Sequence, residues 1–239
     1  MNIPILMYHQ IDTPPPRGTP LRGLVVSAGA FARQMFFLKL LGYRGLSMHD
    51  LEPYLNGERQ GRVVGITFDD GYLNNLENAL PVLKKHGFTA TCYAVSSMMG
   101  GANSWDRDIG VGQKPLMTAQ DWRSWLQQGM DIGSHTRTHA DLTTLNATAA
   151  IDEIAGSKRE LENSLNCEVR HFCYPYGRFE TAHSQMAQQA GYASATTTRR
   201  GRTQANADPY NLCRVLVAQA TTLVQFALKI ATPYEDRRG

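Results

Sequence analysis

The sequence lacks an excess of charge of either sign, and it has no long apolar run. Its 239 residues carry a net charge of +3, and no dense Lys/Arg stripe with interleaved aromatic residues occurs, so a nucleic-acid partner is not indicated. The most apolar stretch, residues 31–43, is interrupted by Arg33 and Lys39 and is too short to span a bilayer. With 42% hydrophobic residues the chain is typical of globular proteins, and we expect no transmembrane segment.

Cysteine is scarce, and the spacing of a thiol metal site is absent. The four cysteines, at positions 92, 167, 173 and 213, show no Cys-x-x-Cys pattern. The amino-terminal residues show no basic segment, long apolar run or small-residue cleavage site of the kind that a secretory signal has. We therefore expect reduced thiols and a cytoplasmic location. A nucleophilic Ser or Cys motif is missing as well, so no acyl-enzyme is expected.

Short apolar segments alternate with amphipathic segments along the whole chain, and no repeat or linker divides it. Strand-like residues 63–68, for example, are followed by the helix-like residues 73–87. This alternation predicts an α/β fold with a parallel sheet covered by helices, and about seven such units favour a distorted (β/α)7-type barrel. We expect a single catalytic domain over residues 1–232 and a charged, flexible tail over residues 233–239.

Several helix boundaries can be predicted from capping residues. Ser27 and Thr118 are placed to cap two helices at their amino termini, and glycines follow four helix-like segments, at positions 42, 87, 129 and 191. Pro81 is expected to divide its helical segment into two shorter pieces, because proline interrupts a helix interior.

Polar residues follow four of the predicted strands, at the point where each strand ends. They are His9 after ILMY, Asp69 and Asp70 after VVGITF, His135 after MDIGS, and Pro175 and Tyr176 after VRHFCY. In a parallel α/β fold the functional loops gather at the carboxyl ends of the strands. We therefore expect these side chains to converge on one face of the protein.

Two adjacent carboxylates in ITFDDG need an explanation, because like charges repel and are costly to bury without partners. A solvated turn is one interpretation, since Asp-Gly is a strong turn signal. A metal site is the other. His135 and His139 in HTRTH are four residues apart, which places both imidazoles on one side of a helix or tight turn. A carboxylate would complete a ligand set that leaves positions open for water and substrate.

The motifs TFDDG at 67–71, HTRTH at 135–139 and YPYG at 174–177, in this order, resemble the polysaccharide deacetylases of carbohydrate esterase family 4. The resemblance extends from Ile5 to about Val217. It implies a divalent metal on Asp70, His135 and His139, for which Zn²⁺ fits best and Co²⁺, Ni²⁺, Fe²⁺ or Mn²⁺ are alternatives. It also implies that Asp69 remains free as general base and that the backbone N–H of Tyr176, after Pro175, stabilises the oxyanion.

The sequence departs from this family at the general acid. The family usually has a histidine in a Leu-x-His motif near the carboxyl terminus, whereas the last histidine of this chain is His183. ILMYH at 5–9 instead resembles the (L/V)MYH motif of a circularly permuted branch that includes poly-N-acetylglucosamine deacetylases. That resemblance implies that His9 is the general acid, with a structural, hydrogen-bonded histidine as the alternative.

A second departure concerns the orientation of the catalytic aspartate. Many family members have an arginine where this chain has Cys173, and Arg214 or Arg170 is expected to replace it, unless these arginines form surface ion pairs. A long glycine-rich connection over residues 97–115 contains Trp105. This tryptophan is expected either to stack on a sugar or to anchor its own loop.

The implied activity is metal-dependent removal of the N-acetyl group from an N-acetylated sugar. The substrate would be a polysaccharide or a lipid-linked or nucleotide-linked precursor. Two alternatives remain open: hydrolysis of another C–N bond, such as a formamide or cyclic amide, and an inactive carbohydrate-binding relative. The sequence does not indicate an oligomeric state.

Overall fold

The computed structural model describes residues 2–237, and its centre is a barrel of parallel strands. The strands of the described residues are β1 (Asn2–Ile3), β2 (Ile5–Tyr8), β3 (Gln10–Ile11), β4 (Val25–Val26), β5 (Arg44–Leu46), β6 (Val63–Phe68), β7 (Thr91–Ala94), β8 (Asp131–Ser134), β9 (His171–Cys173), β10 (Ser194–Arg200), β11 (Thr203–Gln204) and β12 (Leu212–Leu216). Seven of them form a ring in the order β2, β12, β10, β9, β8, β7, β6, and β6 pairs again with β2 to close it. The predicted single-domain (β/α)7-type barrel is confirmed.

The barrel is irregular at β6. One edge of this strand pairs with β2, while the opposite edge has two partners along its length. Residues 63–65 pair with β5, and residues 67–68 pair with β7. The short β5 therefore wedges between β6 and β7 at the amino-terminal end of the barrel, which distorts the ring as the sequence predicted.

Helices surround the ring, as the alternating pattern predicted. The α-helices of the described residues are α1 (Ala28–Leu40), α2 (Met48–Leu55), α3 (Leu80–His86), α4 (Ala119–Gln127), α5 (Ala147–Ile151), α6 (Ser157–Leu165), α7 (Thr181–Gln189) and α8 (Leu223–Ala231). Ser27 and Thr118 cap α1 and α4 by accepting hydrogen bonds from backbone N–H groups. Pro81 lies in the first turn of α3, but the π-helical turn over Asn75–Ala79 continues directly into α3 with helical backbone at Ala79 and Leu80, so the predicted division of this segment at Pro81 is wrong. Among residues 2–237, no helix combines the length and the apolar character needed to cross a membrane.

The continuous apolar character of the central strands follows from burial on both faces. All six residues of β6 and all four of β2 are buried, with the barrel interior on one side and the helices on the other. One apolar cluster lies between the ring and helices such as α1 and α4. A second cluster fills the amino-terminal end of the barrel, where Met48, Leu51 and Leu55 of α2 pack among residues from the strands.

The expectation of a flexible tail over residues 233–239 is wrong for the residues that the structure describes. Glu235 is fully buried, and its carboxylate accepts hydrogen bonds from Arg200 at 2.7 and 2.9 Å and from Lys229 at 2.5 Å. Asp236 pairs with Arg202 at 2.8 Å. Because a buried carboxylate is costly without partners, these cations hold the segment against β10. Residues 238–239 lie outside the described residues.

Gly133 on β8 offers a test of how tightly the barrel interior is packed. A Cβ at this position would lie 2.3 Å from Tyr93 Cδ1 and 2.9 Å from the carbonyl oxygen of His171. We expect Gly133→Ala to lower the free energy of unfolding by about 1–3 kcal/mol, the usual cost of overpacking. Gly29→Ala in α1 is the control, because a Cβ there meets nothing closer than 3.5 Å. Chemical denaturation measures both variants, and an unchanged stability of Gly133→Ala would contradict this packing.

Candidate active site

Asp69 and Asp70 directly follow β6, at the carboxyl end of the barrel. Asp70 has a φ of 75° and Gly71 a φ of 76°, so the backbone turns sharply as soon as the strand ends. A left-handed backbone is uncommon for a residue other than glycine and is found at functional sites. The side chains of both aspartates are nearly buried, at 3% and 7% exposure. The turn directs the two carboxylates toward different partners, and the solvated-turn interpretation is therefore wrong.

Asp70 faces the two histidines of HTRTH. Its Oδ1 lies 3.5 Å from His135 Nε2 and 3.3 Å from His139 Nε2. The HTRTH segment is a tight loop after β8, with a φ of 66° at Thr136 and 62° at His139. This loop, and not a helix, brings the two imidazoles together on one side. The structure thus brings together the three residues that the family resemblance implies as metal ligands.

These three residues fit a divalent metal ion. One ligand atom from each of them lies within 4.8 Å of the other two. Asp70 Oδ1 is buried and has no hydrogen-bond partner among the described residues, although both Nε2 atoms point toward it. Two imidazole nitrogens and one carboxylate oxygen are the ligand set of many catalytic zinc sites. A cation at their centre would satisfy the buried oxygen.

The second nitrogen of each histidine is held by a neighbouring group. His135 Nδ1 lies 2.7 Å from the carbonyl oxygen of Cys173, and His139 Nδ1 lies 3.1 Å from the hydroxyl of Tyr176. The Cys173 carbonyl accepts the Nδ1–H proton, which leaves the lone pair of His135 on Nε2. Such contacts orient metal-binding histidines and select their tautomer. Burial raises the pKa of Asp70, but His139, His9 and His135 outweigh it and hold that pKa well below its usual range.

Asp69 is held by Arg214, which is fully buried. Arg214 Nη1 donates to Asp69 Oδ1 at 2.6 Å, and Nη2 donates to Oδ2 at 2.8 Å. The remaining guanidinium N–H groups donate to Thr67 Oγ1, the carbonyl oxygen of Thr197 and Cys173 Sγ. Burial raises the pKa of Asp69, and the charge and hydrogen bonds of Arg214 more than offset this, so the pKa is lowered overall. Asp69 is therefore an ionised carboxylate in a fixed orientation.

The geometry distinguishes the two arginine candidates. Arg214 reaches Asp69 from β12, and Cys173 is small enough to leave room for the guanidinium beside it. Arg170 precedes β9 at the opposite end of the barrel, where it pairs with Glu52 and Glu168. Arg170 therefore does not contact Asp69, and Arg214 is the arginine that orients this carboxylate.

His9 follows β2 and lies beside the same carboxylate. Its Nε2 is 3.7 Å from Asp69 Oδ2, and its side chain is 16% exposed. Asn75 fixes the local backbone, because its side-chain amide donates to the carbonyl oxygen of His9 at 2.8 Å. His9 Nδ1 has no hydrogen-bond partner among the described residues. A structural histidine held by hydrogen bonds through its ring, which was the alternative, does not match this geometry.

The Pro-Tyr-Gly turn follows β9 and borders the candidate metal ligand His139. Pro175 is buried at the start of the turn, whereas Tyr176 is 46% exposed and has a φ of 58°. Gly177 continues the turn with a φ of 68°, and a Cβ there would lie 2.0 Å from Thr198 Oγ1. Only glycine fits this position, so the turn holds Tyr176 close to His139, with ring centroids 4.7 Å apart.

Trp105 and Asp106 enter the site from the glycine-rich connection. The ring of Trp105 stacks on His139, with centroids 4.5 Å apart and planes at 16°. Asp106 is 7% exposed and was missed by the sequence analysis, although its place beside Trp105 in a long loop was a usable signal. Burial raises the pKa of Asp106, and the nearby charge of Asp70 contributes in the same direction.

A cleft of about 680 Å³ opens above these residues. Its floor carries the polar side chains of His9, Asp69, Asp70, His135 and His139. Its walls are largely apolar and include residues of two loops: Pro15, Pro16, Pro20 and Leu21 of the first, and Trp105, Ile109 and Val111 of the second. This volume and this mixture of apolar walls and convergent polar groups are typical of a small-molecule site.

Comparison with models of known protein families identifies the family of the chain. The model described as polysaccharide deacetylase matches residues 56–195, which is more than half of the sequence. The chain belongs to the polysaccharide deacetylase family. The resemblance recognised in the sequence motifs is therefore confirmed. The matched region contains Asp69, Asp70, His135 and His139, whereas His9 and Arg214 lie outside it.

Individual relatives of the chain agree with this family assignment. YxkH of Bacillus subtilis (strain 168), whose name includes polysaccharide deacetylase, is 31% identical over 218 residues, which cover 90% of this chain and 71% of YxkH. A poly-beta-1,6-N-acetyl-D-glucosamine N-deacetylase of Staphylococcus epidermidis is 25% identical over 207 residues, which cover 83% of this chain and 70% of that protein. The structure of the Streptococcus pyogenes deacetylase PplD in complex with acetate matches with a TM-score of 0.84 at 27% identity, covering 96% of this chain and 98% of PplD.

The pairing of Asp69 with Arg214 can be tested through stability. Removing one member of a buried pair leaves an uncompensated charge, so we expect Arg214→Met to lower the free energy of unfolding by about 3–5 kcal/mol. Asp69→Asn combined with Arg214→Met should lose less than the sum of the single variants, because the double variant buries no charge at this position. Chemical denaturation of the three variants completes the cycle.

Arg170→Met is the matched control for this experiment. Arg170 is 34% exposed and its partner Glu52 is 22% exposed, so loss of this pair should cost no more than about 1 kcal/mol. Equal effects of Arg214→Met and Arg170→Met, or strict additivity in the cycle, would contradict the buried pairing.

Proposed function

We propose that the chain is a metal-dependent N-deacetylase that removes the acetyl group from an N-acetylated sugar. The observation that carries the proposal is the division of two adjacent, buried carboxylates between different partners. Asp70 faces two imidazole nitrogens, while Asp69 is held by a buried guanidinium and borders the cleft. A binding protein has no need of a second, separately oriented carboxylate beside a metal site, and this arrangement speaks against the inactive carbohydrate-binding alternative.

Asp70, His135 and His139 are the residues that would hold the metal. Zn²⁺ fits their donor atoms best, with Co²⁺, Ni²⁺, Fe²⁺ or Mn²⁺ as alternatives. When bound, the ion supplies Lewis-acid polarisation of the acetyl carbonyl and lowers the pKa of water. The cleft above the three ligands leaves room for water and substrate, which a structural metal site does not require.

Asp69 is the proposed general base. Arg214 keeps its carboxylate ionised and fixes both oxygens, so the lone pairs that Arg214 does not occupy accept the proton of the attacking water. Arg214 is a positioning residue, because its guanidinium lies beneath Asp69 and is fully buried away from the cleft.

His9 is the proposed general acid, and the Pro-Tyr-Gly turn supplies the oxyanion donor. His9 Nε2 lies near Asp69 on the floor of the cleft, where it would donate a proton to the leaving amine. The backbone N–H of Tyr176 would donate to the oxyanion of the tetrahedral intermediate, because the turn places this residue beside His139. Pro175 and Gly177 hold the turn in its unusual conformation.

The walls of the cleft suit a sugar. Sugars present apolar faces edged by hydroxyl groups, and Trp105 and the proline-rich loop offer apolar surfaces next to buried polar groups such as Asp106. The relatives are named for deacetylation of polysaccharide and of poly-N-acetylglucosamine. A cytoplasmic location stays a prediction from the sequence.

Acetate release tests the proposed reaction directly. We expect the chain to release acetate from N-acetylhexosamine oligomers or nucleotide sugars, to lose this activity on chelation, and to regain it with Zn²⁺ or Co²⁺. Asp69→Asn should abolish most turnover while retaining the bound metal, because its neighbour Asp70 and both histidines are unchanged. Asp70→Asn should lose metal and activity together.

The same experiment separates the alternatives. Metal binding without acetate release from any sugar, together with hydrolysis of a formamide or cyclic amide, would favour the other C–N hydrolase. Metal-independent acetate release, or release that survives in Asp69→Asn, would contradict the assigned roles.

The general acid can be tested with His9→Gln. We expect kcat to fall by about 100- to 10,000-fold, the usual contribution of a positioned proton donor. Metal content should be unchanged, because His9 is not among the three proposed ligands. His86→Gln, at the end of α3 and away from the cleft, is the control and should retain full activity. Steady-state kinetics and metal analysis are the measurements, and a kcat of His9→Gln near that of the wild type would refute the role of His9 as general acid.

A further inference from the structure

A second group of metal-ligating side chains lies at the opposite end of the barrel from the deacetylase site. Helix α2 crosses this end, where the backbone N–H of Met48 donates to Thr91 Oγ1 at 2.8 Å, at the start of β7. Thr91 Oγ1 in turn donates to Asp131 Oδ2 at 2.5 Å, at the start of β8. These bonds fix the amino-terminal part of α2 against the amino-terminal ends of the barrel strands.

Helix α2 presents two of the three side chains of the group. His49 and Glu52 are three residues apart on this helix, which places them on neighbouring positions of one face. His171, the first residue of β9, approaches from the barrel and is fully buried. One imidazole nitrogen of each histidine and a carboxylate oxygen of Glu52 all lie within 4.8 Å of one another.

His171 has a buried nitrogen without a partner. Its Nδ1 lies 2.9 Å from Ser194 Oγ, whereas its Nε2 has no hydrogen-bond partner among the described residues. This Nε2 is 3.3 Å from Glu52 Oε1 without forming a hydrogen bond to it. When the neutral ring donates from Nδ1 to Ser194, its Nε2 lone pair faces a carboxylate oxygen. Two electron pairs at this distance repel, and a cation bound by both removes the repulsion.

We propose that His49, Glu52 and His171 form a second divalent-metal site, with Zn²⁺ as its ion. Two imidazoles and one carboxylate match the ligand preferences of zinc. His49 is exposed, so it closes the site from the solvent side and leaves the remaining coordination position to water. The proposed ion links α2 to β9, and its role is to stabilise the amino-terminal end of the barrel. The proposal does not depend on the deacetylase activity.

Arg170 is a charged group that contacts Glu52 of the proposed site. Its guanidinium donates to Glu52 Oε1 at 3.0 Å and to Oε2 at 3.1 Å. An ionised carboxylate has about four lone-pair positions, so Glu52 can accept these bonds and still bind an ion through Oε1. Arg170 also reduces the negative charge near the site, which leads us to expect weaker binding than at Asp70, His135 and His139.

Zinc stoichiometry and thermal stability test the second site. Equilibrium dialysis of the full chain against Zn²⁺, with metal analysis, should give about two equivalents for wild type and about one for His49→Gln. Asp70→Asn should also bind about one equivalent, and Asp70→Asn with His49→Gln should bind none. In Asp70→Asn, added Zn²⁺ should raise Tm, and this rise should disappear when His49→Gln is added.

The controls separate this proposal from folding defects and from the deacetylase assignment. His49 is exposed, so His49→Gln should fold normally even if Glu52→Gln does not, and it should retain metal-dependent acetate release. His86→Gln should keep both equivalents. The proposal is overturned if wild type binds a single equivalent that Asp70→Asn abolishes, or if His49→Gln still binds two.

Discussion

One buried ion pair organises the carboxyl end of this barrel. Asp69 and Asp70 are neighbours in the chain, and both are almost inaccessible to solvent. Two such carboxylates would repel if they shared one environment. The bidentate contact of Arg214 with Asp69, and the left-handed turn at Asp70, give each carboxylate its own set of opposite or hydrogen-bonding partners. The cleft, the histidine loop and the Pro-Tyr-Gly turn are arranged around this separation.

The burial of this ion pair also explains why every guanidinium N–H group of Arg214 has a hydrogen-bond acceptor. A guanidinium has five N–H groups, and here each has an acceptor, with the cysteine sulfur taking the last one. A buried cation of this kind is tolerated only when its charge and its donors are both matched. Cys173 matters for this reason, because a larger side chain would occupy the space that the guanidinium fills. The guanidinium beside Asp69 therefore comes from Arg214 on β12 and not from position 173 at the end of β9.

The sequence was sufficient for the parts of the site that local motifs encode. The alternation of strand-like and helix-like segments predicted the barrel. The spacing of HTRTH predicted that the imidazoles of His135 and His139 lie on the same side of their segment. The sequence did not distinguish Arg214 from Arg170 as the arginine that contacts Asp69, because this contact depends on which strands are neighbours in the closed ring. The burial of Asp106 and the anchoring of Glu235 also depend on contacts between distant segments. No periodic pattern in either segment encodes those contacts.

The pairing of β2 with β12 has a consequence for how the site is assembled during synthesis. Asp70, His135 and His139 have all left the ribosome before β12 is made, whereas the guanidinium that holds Asp69 is added about 75 residues later than His139. His9, although translated first, reaches its place only when β2 lies between β12 and β6. The three residues proposed to bind the metal are therefore synthesised before Arg214, and the contact of Arg214 with Asp69 requires β12 to take its place in the ring.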